Sequence, residues 1–297
     1  MKNFIENVTL LDITHWIEKE LKEKSKINFI VPNPDIDVKV KGYKIWVNLA
    51  ELHFCKMATP EKIDDKRVKI TFIKLNQNHS FHSAKVTQTE EKYGTESLFF
   101  DINKNEEPTF LYAYKRALEA VKVHNREHIL NLGVNKADEF ELIEQIIPKK
   151  VFDTIQFSGV DHSQTALAFA KKRFPKENVQ FYQKDINQIK QLNLPKANLI
   201  ISIGTLQSPS INYKPFLMSL VQEHLTHNGA FILGFPNSRW IDNELIYGAK
   251  APNYPYSEMS LLYNDVMFAK KYLQQKKFRV TLTGREYIFL TATKIGV

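Results

Sequence analysis

Cys55 is the single cysteine among 297 residues. That excludes a disulfide framework within the chain and a zinc site built on clustered cysteines. Long hydrophobic runs are also missing, since no stretch approaches the roughly 20 apolar residues of a membrane span. The opening MKNFIENVTLLDITHWIEKE mixes apolar and charged residues throughout, unlike a secretory signal. A reducing cytoplasm is the simplest compartment to expect. No internal repeat and no low-complexity linker interrupts the chain. Charge of one sign is not concentrated either. The net charge is +8, but lysines alternate with acids, and the densest basic stretch, 270–285, reads as a solvated helix end and strand face. An anionic partner is therefore favoured only weakly. The last scarcity is local: in ILNLGVNKADEFELI (129–143) an apolar strand enters a turn and an acidic helix follows, yet Gly133 is the only glycine.

What is present is the composition of a globular chain, 43% hydrophobic and 25% charged, long enough for two domains. The texture changes near NKNEEPTF, which sets a boundary between residues 1–106 and 107–297. The first part reads as a small α+β domain. A helix is expected at about 9–24. YKIWVNLAELHF (43–54) and RVKITFIKL (67–75) alternate with period two, as strands do, and SLFFDI (97–102) is a further strand candidate. After Pro108 strands and helices alternate. Strands at 127–133, 154–160, 179–182, 198–204 and 230–234 are separated by helical stretches, which predicts a parallel sheet covered on both faces. Its ligand crevice should lie beyond the carboxyl ends of the strands. A helix at 257–275 leads into two strand runs, 278–283 and 287–293, too closely connected to be anything but antiparallel neighbours.

The glycine-poor turn argues against a dinucleotide. A pyrophosphate needs the second glycine for close backbone approach and the third for helix packing, and Asn135 and Ala137 stand near those places. Asn tolerates positive φ better than most residues. Asp161 ends the next strand, at the distance beyond the turn expected of a ribose-binding acid. A carboxylate there can accept from both ribose hydroxyls, and it can equally cap the helix at 163–174. Asp185 follows the third strand, where it can accept an adenine amino group beside the N–H of Ile186, or cap a helix.

In order and spacing, 127–234 resembles the class I S-adenosylmethionine-dependent methyltransferases. HILNLGVNKADEFE is similar to their first motif, FSGVDHSQTALAFAKKRF to their ribose segment, and VQFYQKDI to their adenine segment. NLIISIGTLQS and LVQEHLTHNGAFILGFPN match the segments around strands four and five. The resemblance implies a Rossmann-like, mostly parallel seven-stranded sheet ending in an antiparallel hairpin, with S-adenosyl-L-methionine as cofactor. It implies cofactor contacts from Asn131, Gly133, Asn135, Ala137, Asp161, His162, Asp185, Ile186 and Gly204. The family commonly carries an acid where Asn131 stands and glycines where Asn135 and Ala137 stand, which weakens the expected grip on the cofactor's ammonium group.

No catalytic residue is singled out, because in-line methyl transfer relies largely on positioning, and no metal ligand set is expected. SIGTLQSPS lacks the Asn/Asp-Pro-Pro-aromatic signature of base-amine methylation, and Cys55 lies outside the methyltransferase part. A small organic acceptor is the leading expectation, RNA the second, and a non-catalytic protein on a decayed fold the third. Gln207 and Tyr213 follow strand four, and Trp240, Tyr247, Tyr254 and Tyr256 sit in a Pro- and Gly-containing insert that suggests an aromatic lid. His162 and His224 are the candidate bases, with surface or helix-end roles as the plainer reading. The N-terminal part is expected to recognise substrate, to cap the site or to mediate dimerisation. Trp46, His53 and His79 there read equally well as packing and turn residues.

Overall fold

The structure, a computed structural model, describes residues 2–5, 8–36, 42–75, 93–97, 99–241, 244–250 and 254–296. By compactness the chain divides into Met1–His82 with Trp240–Ile246, and Ser83–Arg239 with Tyr247–Val297. This differs from the boundary at 106/107 by the stretch 83–106, which groups with the second unit, and by the short piece taken from the insert.

In the first unit, β1 (Lys2–Asn3), α1 (Leu10–Glu23), β2 (Lys26–Pro32), α2 (Lys44–Leu52), β3 (Cys55–Met57), β4 (Glu61–Lys62) and β5 (Arg67–Lys74) follow in order. α1 starts where a capping box closes its first turn. The Asp12 N–H donates to Thr9 Oγ1, and the Thr9 N–H donates to the Asp12 carboxylate. Ile13, Ile17 and Leu21, at helical spacing, bury one face. The sheet order is β1-β2-β5-β3, with β4 also pairing β5. Its core gathers Phe4, Trp16, Trp46 and Phe72 edge-on around Phe29.

Two strand expectations fail. Residues 44–52 form α2, because Trp46, Leu49 and Ala50 give a buried stripe at helical spacing that outweighs the alternation of Ile45, Val47 and Leu49. Val47 is exposed, as that helix requires. The described residues of 97–102 are turns rather than a strand, closed by Ser97 and Phe99 carbonyls accepting from the N–H groups of Phe100 and Ile102. Trp46 is a core residue, burial lowers the pKa of the His53 imidazole, and His79 lies outside the described residues.

The second unit carries α3 (Pro108–Ala120), β6 (His128–Leu132), α4 (Asp138–Ile146), α5 (Lys149–Phe152), β7 (Gln156–Asp161), α6 (Gln164–Arg173), β8 (Val179–Gln183), β9 (Ala197–Ile203), α7 (Tyr213–Ser219) and β10 (Leu225–Pro236). The insert forms β11 (Ser238–Ile241) paired with β12 (Glu244–Tyr247), and β13 (Ala249–Lys250) paired with β14 (Ser257–Glu258). α8 (Ser260–Gln275), β15 (Phe278–Gly284) and β16 (Tyr287–Lys294) close the chain. The seven-stranded sheet has the order β15-β16-β10-β9-β6-β7-β8. Strands β8, β7, β6, β9 and β10 are parallel, whereas β16 runs antiparallel to both β10 and β15.

Two apolar clusters cover the two faces of this sheet. One is built on Tyr114, Phe140, Phe152 and Phe157, the other on Leu217, Phe231, Val266 and Leu273. Central strands with both faces covered carry near-continuous apolar runs, as NLIISI and AFILGF do. Strand β6 pairs with β7 on one side and β9 on the other. The chain's direction across the sheet reverses at this strand, and the crevice beyond its carboxyl end is where an open α/β sheet places a ligand.

Candidate functional site

The turn between β6 and α4 keeps a glycine-type backbone without the glycines. Gly133, Asn135 and Ala137 have φ of 75°, 44° and 66°. Asn135 suits that region. Ala137 sits there under a strain of about 1–2 kcal/mol, held as the cap of α4 and fully buried. Gly133 allows a close approach as well as a turn: a Cβ there would lie 2.1 Å from Thr205 Oγ1. Asp138, Glu139 and Glu141 fill the first turn of α4, on its positive dipole end.

Asp161, at the tip of β7, ties this turn to the next one. Its Oδ2 accepts from the Asn135 N–H at 2.9 Å and its Oδ1 from the Ser163 N–H at 2.9 Å. The helix-cap reading of Asp161 is replaced: α6 is capped by Ser163, whose Oγ accepts from the Ala166 N–H at 3.2 Å. Each Asp161 oxygen keeps acceptor capacity beyond its one backbone donor. His162 is half-buried, with Nδ1 3.6 Å from Asp161 Oδ1. The Tyr93 ring meets the His162 ring edge-on at 5.9 Å.

The stretch 93–105 reaches the same turn, a link that the sequence did not disclose. The Tyr93 carbonyl accepts from Asn135 Nδ2 at 2.8 Å, and the Phe100 carbonyl accepts from Lys136 Nζ at 2.5 Å. Asn105 Nδ2 donates to the Asp138 carbonyl at 2.8 Å. The Thr95 N–H donates to Thr165 Oγ1 at 3.0 Å, on the first turn of α6.

A family model described as a methyltransferase domain matches residues 124–280, just over half of the chain. The chain belongs to this methyltransferase family. It is an S-adenosylmethionine-dependent methyltransferase of class I, in keeping with its sheet order and terminal hairpin. No curated protein matches it in sequence. Among solved structures it is similar to a precorrin-6y C5,15-methyltransferase from Geobacter metallireducens, at 12% identity over 61% of this chain and 87% of the other, TM-score 0.41. It is similar to magnesium protoporphyrin IX methyltransferase from Synechocystis with bound cofactor, at 15% identity over 65% and 85%, TM-score 0.40. A putative S-adenosylmethionine-dependent methyltransferase from Listeria monocytogenes gives 17% identity over 60% and 97%, TM-score 0.41.

The residues around the turn fit the methyltransferase cofactor. The left-handed turn, whose one charge at Lys136 is taken up by the Phe100 carbonyl and Asp138, suits a ligand without phosphate, and Asp161 is fixed in place with lone pairs to spare. Asn131 is buried at the end of β6 with both side-chain polar atoms unpartnered. The remaining sequence candidates divide. Asp185 is exposed, and its Oδ1 accepts from the N–H and Nδ2 of Asn187, so it caps the helical turn 186–192. Ile186 is buried. Gly204, with φ 71°, faces Pro236 and the Tyr287 hydroxyl. Gln207 keeps a buried Oε1 without a partner. Tyr213 is buried between Phe235 and Phe268, and that burial raises its pKa far above the ordinary phenol range. The insert is ordered into two hairpins rather than being a bare loop. Tyr247, Tyr254 and Tyr256 are exposed on it, with the last two rings edge-on at 5.6 Å. The Trp240 side chain lies outside the described residues. His224 is buried at the helix end before β10, on the side of the sheet away from the glycine turn, and burial lowers its pKa.

Among the described residues no group of His, Cys, Asp and Glu is arranged to hold a metal, and no helix is long and apolar enough to cross a membrane. Glu139, Tyr114, Thr205 and Tyr93 gather at the site without having been singled out. Glu139 reads in sequence as an ordinary helix-start acid, and Tyr114 as one apolar position of an amphipathic helix.

Proposed function

We propose that this methyltransferase acts on a small organic acceptor. The cofactor is held over the Gly133–Ala137 turn, with Asp161 accepting from the ribose hydroxyls and His162 beside it. Asp185 and Ile186 frame the adenine side, and Asn131 and Gly204 border the amino-acid side. The observation that carries the cofactor part of this reading is Asp161 itself, a buried carboxylate locked by two backbone donors and retaining free acceptor capacity. When bound, the cofactor supplies an electrophilic methyl carried on a sulfonium. The chain's part is to orient the acceptor in line and to exclude water. Gln207, with its unpartnered buried oxygen, is the acceptor-orienting group after strand four. The exposed tyrosines of the insert offer apolar faces to a planar acceptor. Tyr213 takes a supporting role in packing. Residues 1–106 serve in substrate recognition or oligomerisation.

RNA is the second reading, supported by the net charge of +8. Phosphate-driven RNA binding falls steeply with salt, whereas binding of a small neutral acceptor does not. The test of the cofactor site is calorimetric titration of wild type and Asp161→Ala with S-adenosylmethionine. Binding by wild type and its loss in the variant support the site. A variant that binds as tightly as wild type overturns the assignment of Asp161.

A further inference from the structure

Two buried polar side chains without partners meet a carboxyl group under the turn. Asn131 is fully buried, and neither its Oδ1 nor its Nδ2 completes a hydrogen bond. The Tyr114 hydroxyl on α3 is buried and equally unpartnered. Glu139, in the first turn of α4, faces both of them. Among the described residues no cation pairs with Glu139. Lys136 is bound to the Phe100 carbonyl and lies 3.7 Å from Asp138. Arg173 is taken by Asp138 and Glu141, and Lys104 by Glu107. The other charges facing Glu139, Asp138 on its own helix and Asp161 on β7, repeat its sign. Buried polar groups are normally satisfied. Two such groups facing an acid without a cation, beside a ligand crevice, point to a ligand that completes the cluster.

We infer that Glu139, set between Asn131 and Tyr114, is the anionic receptor for the cationic amino-acid end of the cofactor, and that it gives up a proton when the cofactor binds. The inference rests on the cofactor turn proposed above. It answers the loss of an acid at position 131: the negative charge comes from the helix, and the strand contributes a neutral amide. Glu139 keeps part of its surface exposed, but its carboxyl is deep enough that burial, and Asp138 after it, push its pKa up to about 8. At neutral pH the free protein therefore holds mostly the acid form and avoids an unpaired interior charge. A cation beside it favours the carboxylate. The O–H bond of the carboxyl breaks, its electron pair stays on oxygen, and the proton leaves to buffer.

The test is calorimetric titration of the full chain with S-adenosylmethionine at pH 7.5, in two buffers of different ionisation enthalpy, for wild type and Glu139→Gln. Protonation changes of the cofactor's own amine are common to both proteins and cancel in the difference. Wild type is expected to release roughly three-quarters of a proton more per cofactor than the variant. The variant's affinity is expected to fall about tenfold, with a wider gap at pH 8.5. Equal proton release by two proteins that both bind overturns the inference and leaves the Asp161 site standing. Failure of wild type to bind overturns both. Should Glu139→Gln not fold, Tyr114→Phe gives a second reading. The pH midpoint of proton release should move upward, and an unmoved midpoint counts against the cluster.

Discussion

Gly133→Ala is expected to be among the most damaging single-methyl additions in the methyltransferase unit, and two separable effects set its size. The first is backbone strain. At φ +75° an L-residue is disfavoured by about 1–2 kcal/mol. The second is overlap. The new Cβ would lie 2.1 Å from Thr205 Oγ1, 2.5 Å from its Cγ2 and 2.8 Å from its Cβ. A rotamer change of Thr205 can move the first two atoms but not the third, which is fixed to the backbone. Overpacking of this kind costs about 1–3 kcal/mol. The reduced freedom of the unfolded alanine chain returns about 0.4–1 kcal/mol. At the middle of these ranges the net loss is about 3 kcal/mol, which for a unit of this size lowers Tm by about 6–12 °C. Scanning calorimetry of wild type, Gly133→Ala, Thr205→Gly and the double variant separates the two effects. The double variant should recover the overlap share, a coupling of about 1–3 kcal/mol, and leave the strain share. A single variant that melts within about 1 °C of wild type would refute the argument. So would a double variant that recovers nothing.

Glu139 carries a pH signature in stability as well as in binding. Its folded pKa is raised by burial to about 8, above the usual value near 4.3. The folded state thus holds the extra proton between these values. Stability should fall as pH rises from about 4.5 to 8, by up to about 5 kcal/mol. In Glu139→Gln this slope should be absent. Urea melts at pH 6 and pH 9 check it, and parallel slopes in the two proteins would assign the effect elsewhere. Ala137→Gly relieves about 1–2 kcal/mol of left-handed strain. It adds up to about 1 kcal/mol of chain entropy and removes a buried methyl worth about 0.8 kcal/mol. Its stability should therefore stay within about 1 kcal/mol of wild type, and a loss above about 2 kcal/mol by urea denaturation would contradict a strained Ala137.

The sequence by itself determined the order of elements in the second unit. Runs such as NLIISI and AFILGF can be satisfied only as covered strands, and the short TGRE connection permits only an antiparallel hairpin. It also placed Gly133 and Asp161 at consecutive strand ends, because spacing along the chain and strand length are linked by fixed geometry. Only tertiary structure decided the rest. Residues 43–54 carry both a period of two and a helical stripe, and burial of Trp46, Leu49 and Ala50 chose the helix. Whether Asp161 or Ser163 caps α6 turned on where each side chain points, which composition does not encode. The stretch 93–105 reaches the glycine turn through backbone carbonyls, which every residue possesses and which leave no mark on the sequence. The meeting of Tyr114, Asn131 and Glu139 depends on three elements packing at one point. Each residue alone has an ordinary local explanation, and only the burial of Tyr114 and Asn131 without partners, beside the Glu139 carboxyl, sets them apart.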